Sequence, residues 1–503
     1  MLTIRGSGLT LSDYIRVAVE GETVTLDPSC VSLIEQSAQA VENIVRKENT
    51  VYGINTGFGA LASVKISPEK TKELQRNIIL SHAAGVGEPA PKEVVRGMML
   101  YRANSLAKGF SGVRLQTVEQ LLKMLNAHIT PIVPGQGSVG ASGDLAPLAH
   151  VAMAMLGEGD VWFQGKRVKA IAAMQDAGIP SLEPIQKEGL ALLNGTQYIA
   201  SLLSYGLFKA FRLFDWALLT ASASIDALKG STVPFDSRIQ EVRNHPGQEF
   251  VAQRIRGYLR DSEIRKSHER CDKVQDAYSL RAIPQVLGAV YDALLYAKGV
   301  LEREINSATD NPLVFGEEVL SGGNFHGEPV AFVGDFCSIA LCELGNISER
   351  RVDRMVNPLV SNLPPFLARG ESGLNSGFML WQYTAAALVS ENKTLCFPAS
   401  VDSIPTSAYQ EDHVSMGPIA ARKLLSIIEN DTKIVAIELM IALRALEFLQ
   451  PLRSGPALMK ALEPVYALLS PYQNDRFFGD DFERIYRYIS HNAAATFFET
   501  AIS

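Results

Sequence analysis

The sequence predicts a mainly α-helical protein in which a smaller N-terminal region is followed by a long helical bundle. Two observations indicate this fold class: apolar residues recur at helical spacing over long stretches, and the alternation expected of strands almost disappears after residue 195. Helices of such length exceed the ordinary globular helix and are typical of bundles. We therefore divide the chain into residues 1–195 and 196–503. The long helical patterns cover residues 198–229, 285–305, 329–354 and 416–449.

Composition places the chain among ordinary globular proteins. Of its 503 residues, 47% are hydrophobic and 20% are charged, which is enough apolar material for a large core. The formal net charge of −7 argues against a general nucleic-acid binder, which would present a basic face. No apolar run is typical of a signal peptide or a membrane span. Five scattered cysteines favour a reducing compartment, so we expect a cytoplasmic protein without nucleic-acid or membrane partners.

The N-terminal region is predicted to contain shorter elements separated by glycine-rich loops. One such loop, residues 51–59, places three glycines around Tyr52. Loops of this kind lie at the surface, and they carry function when a scaffold holds their ends. A second loop, residues 135–143, precedes an apolar helix whose first turn tolerates Pro147. The predicted helices cover residues 29–48, 67–80, 94–108, 113–127 and 147–155, with a strand at 2–4 and a hairpin at 160–169.

The stretch from Gly135 to His150 is compatible with two different chemistries. Four glycines in nine residues allow backbone conformations that a Cβ would forbid. The pattern Gly135-x-Gly137-x-x-Gly140 matches the dinucleotide fingerprint, which would indicate a nucleotide-dependent oxidoreductase. That fingerprint needs a βαβ unit, whereas the preceding segment carries two prolines and no alternating strands follow.

The second chemistry is covalent and uses the triplet Ala141-Ser142-Gly143. The amide nitrogen of Gly143 can attack the carbonyl carbon of Ala141, and loss of water then leaves Ser142 as an exocyclic methylidene. Such a ring is a strong electrophile. Only small, flexible neighbours let the chain bend tightly enough to close it.

The resemblance to a known family rests on a longer string, Gly-Ser-Val-Gly-Ala-Ser-Gly-Asp-Leu-Ala-Pro-Leu-Ala-His, at residues 137–150. This string resembles the histidine and aromatic amino acid ammonia-lyases, whose Ala-Ser-Gly triplet cyclises to 4-methylidene-imidazol-5-one (MIO). The resemblance runs nearly end to end. It implies an ammonia-lyase/fumarase-like fold and a carbon–nitrogen lyase without an external cofactor. It also implies a homotetramer whose active sites draw on three subunits.

The resemblance assigns roles to residues that are dispersed along the chain. Tyr52 would be the base that removes the β-proton of the substrate. Arg281 would bind the substrate carboxylate through its planar guanidinium fork. By resemblance, the catalytic residues are Tyr52, Ala141, Ser142, Gly143, Tyr278 and Glu411, and the substrate-binding residues are His82, Asn194, Gln275, Arg281 and Phe325.

Two positions favour histidine as the substrate. Histidine-specific members of the family carry glutamate at the position of Glu411, where phenylalanine and tyrosine enzymes carry a neutral amide. The pair Ser81-His82 matches the Ser-His pair of the histidine enzymes. A carboxylate accepts hydrogen bonds from ring N–H groups, whereas an unpaired carboxylate buried against a phenyl ring is costly. The expected reaction is the non-oxidative elimination of ammonia from L-histidine to give trans-urocanate.

Several positions depart from the pattern of the histidine enzymes and leave neighbouring activities open. The alternatives are a tyrosine or phenylalanine ammonia-lyase and an MIO-dependent aminomutase. The departures are Ala282-Ile283 in place of Cys-Gln, Tyr409 in place of asparagine, Phe397 in place of histidine, and the bulky Trp381 and Tyr383.

No metal site is predicted. The pattern His326-x-Glu328 matches half of a zinc-deaminase signature. The other half, Pro-Cys-x-x-Cys, is missing, because four residues separate Cys337 from Cys342 and no proline precedes them.

Overall fold

The computed structural model describes residues 1–47, 51, 53, 54, 56, 57, 66, 67, 70–269, 273–371 and 373–494. The predicted base, Tyr52, lies outside the described residues. The mainly α-helical fold class is confirmed. The N-terminal helices are α1 (Leu11–Tyr14), α2 (Ser29–Arg46), α3 (Thr71–His82), α4 (Lys92–Leu106), α5 (Leu115–Asn126), α6 (Leu145–Met155), α7 (Ala170–Asp176) and α8 (Glu188–Leu193).

The four long helices of the bundle lie where the apolar patterns predict them. They are connected by shorter helices, several of which carry no clear apolar period in the sequence. In chain order the helices are α9 (Gln197–Ala227), α10 (Ser237–Glu241), α11 (Pro246–Leu259), α12 (Glu263–Lys266), α13 (Tyr278–Arg281), α14 (Ile283–Glu304), α15 (Glu328–Val356), α16 (Pro358–Ser361), α17 (Met379–Leu395), α18 (Gly417–Glu447), α19 (Pro456–Tyr466) and α20 (Gly479–His491).

The described residues also include short strands that form four small sheets: β1 (Leu2–Ile4), β2 (Val24–Leu26), β3 (Val86–Pro89), β4 (Thr130–Pro131), β5 (Pro134–Gln136), β6 (Asp160–Phe163), β7 (Lys166–Lys169), β8 (Leu313–Phe315) and β9 (Glu318–Leu320). β1 pairs with β2 in parallel, β3 with β5 antiparallel, β4–β6–β7 form an antiparallel sheet, and β8 pairs with β9 as a hairpin. The hairpin β8–β9 is an addition to the sequence prediction, which expected almost no strands after residue 195.

A buried charge cluster joins three of the long helices at the centre of the bundle. The carboxylate of Glu438 on α18 accepts hydrogen bonds from Arg351 Nε at 2.5 Å and from Ser348 Oγ at 2.5 Å, both on α15. It also accepts a hydrogen bond from Ser224 Oγ on α9 at 2.6 Å. The side chains of Arg351 and Glu438 are both inaccessible to solvent. A buried carboxylate needs partners of this kind, so the cluster fixes the mutual positions of α9, α15 and α18.

Helix α15 is long and apolar enough to cross a membrane by length and composition alone. Within its most apolar window, 61% of the residues are buried inside the protein. The apolar surface of α15 is therefore largely used in packing against α14 and α18. A core helix of a helical bundle is expected to have this property.

The fold brings the start of several helices to one place. The loops that precede α6, α9, α15 and α18 all contribute residues to a single cavity, and the C-terminal end of α3 faces the same space. Helix N-termini carry partial positive charge, so this arrangement favours negatively charged groups in the cavity. One hydrophobic core cluster includes residues from both sides of residue 195, and the division of the chain there stays a prediction.

Candidate active site

The cavity has a volume of about 750 Å³, which is large enough for a small organic substrate. Six of the predicted site residues line it: His82, Ala141, Ser142, Asn194, Phe325 and Glu411. These residues come from five separate stretches of the sequence. The other lining residues are Gly57, Leu74, Asn77, Ile78, Ser81, Leu145, Leu190, Asn311, Ser321, Gly322, His326, Ser407, Gln410, Asp412 and His413.

The Ala141-Ser142-Gly143 triplet lies in the loop that leads into α6. Gly143 has φ of +71°, which is the left-handed region that favours glycine. A Cβ at this position would lie 2.3 Å from the carbonyl oxygen of Gly195, so no other residue fits there. The backbone N–H of Asp144 donates to that same oxygen at 2.7 Å. The triplet is therefore pressed against the segment that leads into α9.

Asp144 anchors the triplet loop to the first turn of α9. Its buried carboxylate accepts hydrogen bonds from the backbone N–H groups of Tyr198 and Ile199, both at 2.9 Å, and from Ser138 Oγ at 3.1 Å. Burial raises the pKa of the Asp144 carboxyl to about 7, against these hydrogen bonds, which lower it. The N-terminus of a long helix is a favourable place for such a carboxylate. Asp144 was not predicted as a site residue.

Ser142 is held from two sides by predicted site residues. Its hydroxyl donates to Glu411 Oε1 at 2.8 Å, and its carbonyl oxygen accepts a hydrogen bond from Asn194 Nδ2 at 2.7 Å. The side-chain oxygen of Asn194 is buried and has no hydrogen-bond partner among the described residues. An unpaired buried acceptor is unfavourable, so Asn194 is positioned for a donor that the isolated chain does not supply.

Two hydrogen bonds between Thr406 and Glu411 close the loop that joins them and fix the position of Glu411. Thr406 Oγ1 donates to Glu411 Oε2 at 2.6 Å, and the backbone N–H of Thr406 donates to the carbonyl oxygen of Glu411 at 2.9 Å. Glu411 thus points one carboxylate oxygen at Thr406 and the other at Ser142. The sequence analysis singled out Glu411 and missed Thr406, because the hydroxyl residues of this loop carry no distinguishing pattern.

His82 lies at the end of α3 and faces the same cavity. Its Nδ1 is 3.1 Å from Ser81 Oγ. Burial lowers the pKa of the His82 imidazole, while a hydrogen bond involving the backbone of Ile78 and the charge of Glu411 act in the opposite direction. The net shift favours a neutral imidazole, which is able to donate one hydrogen bond and accept another.

Three predicted site residues lie away from the cavity in the same chain. Gln275 and Tyr278 are exposed, and the Tyr278 side chain is 73% accessible. The guanidinium carbon of Arg281 lies 4.5 Å from the centre of the Tyr278 ring. Its Nε is buried without a hydrogen-bond partner among the described residues. These residues form a second group around α13.

The glycine-rich segment does not form a nucleotide site in the described part of the chain. Residues Pro134–Gln136 form β5, which pairs antiparallel with β3. A dinucleotide fingerprint requires a parallel βαβ unit at this point. The described strands near it form only antiparallel pairs.

Comparison with known proteins places the chain in a family. The family model for aromatic amino acid lyases matches residues 9–467. The chain belongs to the aromatic amino acid lyase family. This membership excludes the interpretation of the glycine-rich segment as the nucleotide site of an oxidoreductase.

Relatives and solved structures of this lyase family agree over nearly the whole chain. The histidine ammonia-lyase of Caldanaerobacter subterraneus subsp. tengcongensis is 50% identical over 477 residues, which is 94% of each chain. The crystal structure of histidine ammonia-lyase from Trypanosoma cruzi has a TM-score of 0.90 at 40% identity, covering 100% of this chain and 95% of that one. A tyrosine aminomutase from Streptomyces globisporus has a TM-score of 0.93 at 38% identity, covering 100% and 98%. The overall fold is therefore shared by lyases and aminomutases.

Proposed function

We propose that the protein is a carbon–nitrogen lyase that eliminates ammonia from L-histidine to give trans-urocanate. The observation that carries this proposal is the placement of Ser142 between Asn194 and Glu411 in one cavity, with His82 facing the same space. A sequence identity of 50% to a histidine ammonia-lyase supports the same activity. The proposed site residues remain those predicted from the sequence, including Tyr52.

The electrophile is proposed to be MIO, formed from Ala141, Ser142 and Gly143. The local geometry fits this group. Gly143 has a positive φ and no room for a Cβ, Ala141 is buried, and the unpaired oxygen of Asn194 lies beside the triplet. When formed, the group supplies an electrophilic methylidene that activates the bound amino acid toward elimination. The remaining chemistry depends on side chains that bind and orient the substrate and move its protons.

Glu411 is proposed to bind the imidazole ring of the substrate. In the structure its Oε1 accepts a hydrogen bond from the Ser142 hydroxyl, which the dehydration that forms the methylidene would remove. That oxygen is then available to accept a hydrogen bond from a ring N–H, while Thr406 continues to hold Oε2. A phenyl ring offers no such donor and would leave the carboxylate unpaired, which is the kind of mismatch that discriminates strongly between substrates.

The active site is proposed to be completed by other subunits of a homotetramer. Gln275, Tyr278 and Arg281 do not line the cavity of their own chain, and Tyr278 is largely exposed. Arg281 has the planar fork that suits a carboxylate, and its buried Nε lacks a partner among the described residues. An exposed tyrosine with an adjacent arginine is suited to act in the cavity of a neighbouring chain.

We place this enzyme in the cytoplasm, where the free thiols of Cys30, Cys337, Cys342 and Cys396 stay reduced.

Intact mass and turnover of the Ser142→Ala variant test the electrophile. The wild-type chain should be lighter than its sequence mass by two waters, about 36 Da, because cyclisation and dehydration each remove one. Ser142→Ala has no hydroxyl to eliminate, so it should lack the second loss and lose turnover by several orders of magnitude. Ser32→Ala, on the exposed face of α2, is the matched control and should keep both the mass deficit and the activity. An active Ser142→Ala enzyme would disprove the proposed electrophile.

The Glu411→Gln variant tests the substrate. We expect kcat/KM for L-histidine to fall by roughly 10- to 100-fold, corresponding to about 1.5–3 kcal/mol for a hydrogen bond to a charged group. The value for L-phenylalanine should not fall. Glu463→Gln, on the exposed face of α19, serves as the control. Formation of urocanate, cinnamate and coumarate is followed in parallel. A wild-type preference for phenylalanine or tyrosine would contradict the proposed substrate, and a β-amino acid product would contradict the proposed reaction.

A further inference from the structure

Two histidines from distant parts of the chain meet at the wall of the cavity. His326 lies in the loop before α15, and His413 lies in the loop before α18, 87 residues further along the chain. His413 Nδ1 is 3.2 Å from His326 Nε2. The two rings stack with centroids 5.3 Å apart and an angle of 28° between their planes. Both rings line the cavity.

Glu328 adds a carboxylate next to the two histidines, and one oxygen of this carboxylate, Oε2, lacks a hydrogen-bond partner among the described residues. Glu328 is the first residue of α15, and its Oε2 lies 4.0 Å from His326 Nδ1. This oxygen is buried and has no hydrogen-bond donor among the described residues. Each of the three side chains offers one ligand atom within 4.8 Å of the other two. A buried carboxylate oxygen without a donor is unfavourable, and a bound cation would remove that cost.

The nitrogen and oxygen atoms that could bind a metal ion here favour one class of cation. Imidazole nitrogen together with carboxylate oxygen suits zinc and its neighbours in the transition series, whereas calcium and magnesium prefer six or more oxygen ligands. In a tetrahedral zinc site with Zn–N bonds of about 2.0–2.1 Å, two ligating nitrogens lie about 3.4 Å apart. The 3.2 Å separation of the two histidine nitrogens is close to that value.

We propose that His326, Glu328 and His413 bind a divalent transition-metal ion of the zinc class at the wall of the cavity. His326 Nε2 and His413 Nδ1 are 3.2 Å apart, and one ligand atom of each of the three residues lies within 4.8 Å of the others. The Glu328 oxygen near His326 faces its other nitrogen, Nδ1, so the partly exposed Glu328 side chain would rotate to bind an ion held between the two histidines. A fourth position on the ion would be filled by water or by another ligand. This inference is independent of the lyase reaction, because it rests only on the positions of these three side chains.

Binding of cobalt and zinc to the full-length, tag-free protein tests the site. The protein is first stripped with a chelator and then titrated with metal at about pH 8, because protons compete with metal ions for their ligands at lower pH. We expect saturable binding of one Co²⁺ per chain with the visible absorption of a four-coordinate ion, and its displacement by Zn²⁺. X-ray absorption of the zinc form should show a first shell of nitrogen and oxygen with imidazole scattering. This second measurement needs no variant.

Three variants and one control locate the ion. His326→Gln and His413→Gln should each weaken metal binding by at least about 100-fold. Glu328→Gln should weaken it by roughly 10- to 100-fold, which is the usual cost of removing a carboxylate that holds a metal ligand in place. His245→Gln removes an exposed histidine elsewhere and should not change binding. Circular dichroism and the melting temperature of each variant confirm that it is folded.

Two results would overturn the proposal. The first is metal binding that His326→Gln and His413→Gln leave unchanged, or that carries a thiolate-to-metal charge-transfer band and so belongs to cysteines. The second is the absence of saturable binding by the folded wild-type protein, which would identify the two histidines as a hydrogen-bonded pair only. Neither result bears on turnover, so the lyase proposal stands or falls separately.

Discussion

At the scale of single residues, the geometry of the triplet depends on the groups that surround it. Asp144 ties the triplet loop to two backbone N–H groups of α9, and Gly143 fits because the Gly195 carbonyl leaves no space for a Cβ. Asn194 and Glu411 then approach Ser142 from opposite sides. A small displacement of any of these groups would separate atoms that must be close for the proposed ring to form, so Asp144 acts as a positioning residue.

The contribution of Asp144 to the stability of the folded protein should depend on pH. Burial raises the pKa of the Asp144 carboxyl from its ordinary value of 3.8 to about 7, so the folded state holds this proton more tightly than the unfolded state. The resulting stabilisation is complete below about pH 4 and is lost as the pH rises through about 7. We therefore expect the melting temperature of Asp144→Asn, relative to wild type, to rise between pH 4 and pH 8.

Asp160→Asn provides the matched control for this titration. The Lys169 and Arg167 side chains lower the pKa of the Asp160 carboxyl, so this group stays ionised in both states above about pH 5. The difference in melting temperature between Asp160→Asn and wild type should then be flat from pH 5 to pH 8. A flat difference for Asp144→Asn over the same range would show that Asp144 is not protonated in the folded protein near neutral pH.

At the scale of elements, the long helices are held in register by polar groups as well as by apolar packing. The central residues of α18, from Ile434 to Ala445, are all buried, so this helix has no free polar face in that region. Glu438 is the acidic member of this segment, and it binds groups on both α9 and α15. Because those helices carry the cavity loops at their N-terminal ends, their register determines the shape of the site.

Removal of the Glu438 charge should destabilise the bundle. Glu438→Gln leaves the buried guanidinium of Arg351 without its counter-charge, and we expect a loss of about 3–5 kcal/mol in the free energy of unfolding. Thermal and denaturant melts measure the change. Glu42→Gln breaks the exposed pair with Arg46 on α2 and should cost no more than about 0.5 kcal/mol.

A double variant separates charge from packing at this position. In Arg351→Met/Glu438→Met both charges are replaced by apolar groups, and most of the stability should return, because no unpaired ion remains. If Glu438→Gln costs no more than Glu42→Gln, the cluster does not hold the three helices together.

At the scale of the whole molecule, the predicted site falls into two groups on one chain. The first, around Ser142, lines the cavity; the second, around Arg281, lies on α13. Both groups are required by the proposed chemistry, since the substrate carboxylate needs a cation near the electrophile. Shared sites in a symmetric assembly bring such groups together without a change in the fold.

Complementation between inactive variants tests the shared site. Ser142→Ala and Arg281→Met should each be inactive alone. If equal amounts of both variants assemble at random into the proposed tetramer, about a quarter of the sites should combine an intact Ser142 with an intact Arg281 from different chains. Recovery of about a quarter of the wild-type rate in co-expressed material is therefore expected.

The control for complementation pairs two residues of the same cavity. Asn194 donates to Ser142 within one chain, so Ser142→Ala mixed with Asn194→Ala should show no recovery. Absence of recovery in the Ser142→Ala and Arg281→Met mixture, despite confirmed mixed assembly, would place Ser142 and Arg281 of one site on the same chain. Recovery in the control would show that the assay does not distinguish residues of one chain from residues of different chains.

The sequence alone predicted the helical fold class and the four long bundle helices. Apolar periodicity over more than twenty residues is a local property that survives without tertiary information. The family resemblance rested on a contiguous string around Ser142, and the comparisons confirm the family. The hairpin β8–β9 was missed because three-residue strands carry too little alternation to be recognised.

Tertiary structure alone decided which side chains meet. Glu411 approaches Ser142 across 269 residues of sequence, and His413 approaches His326 across 87. The sequence predicted no metal site at His326, and its proximity to His413 could not be foreseen because that histidine comes from another loop. Asp144 and Thr406 were missed for a similar reason, since a carboxylate or hydroxyl reveals its function only through its partners. Periodicity determines where helices form, but the contacts between their ends depend on how the helices pack.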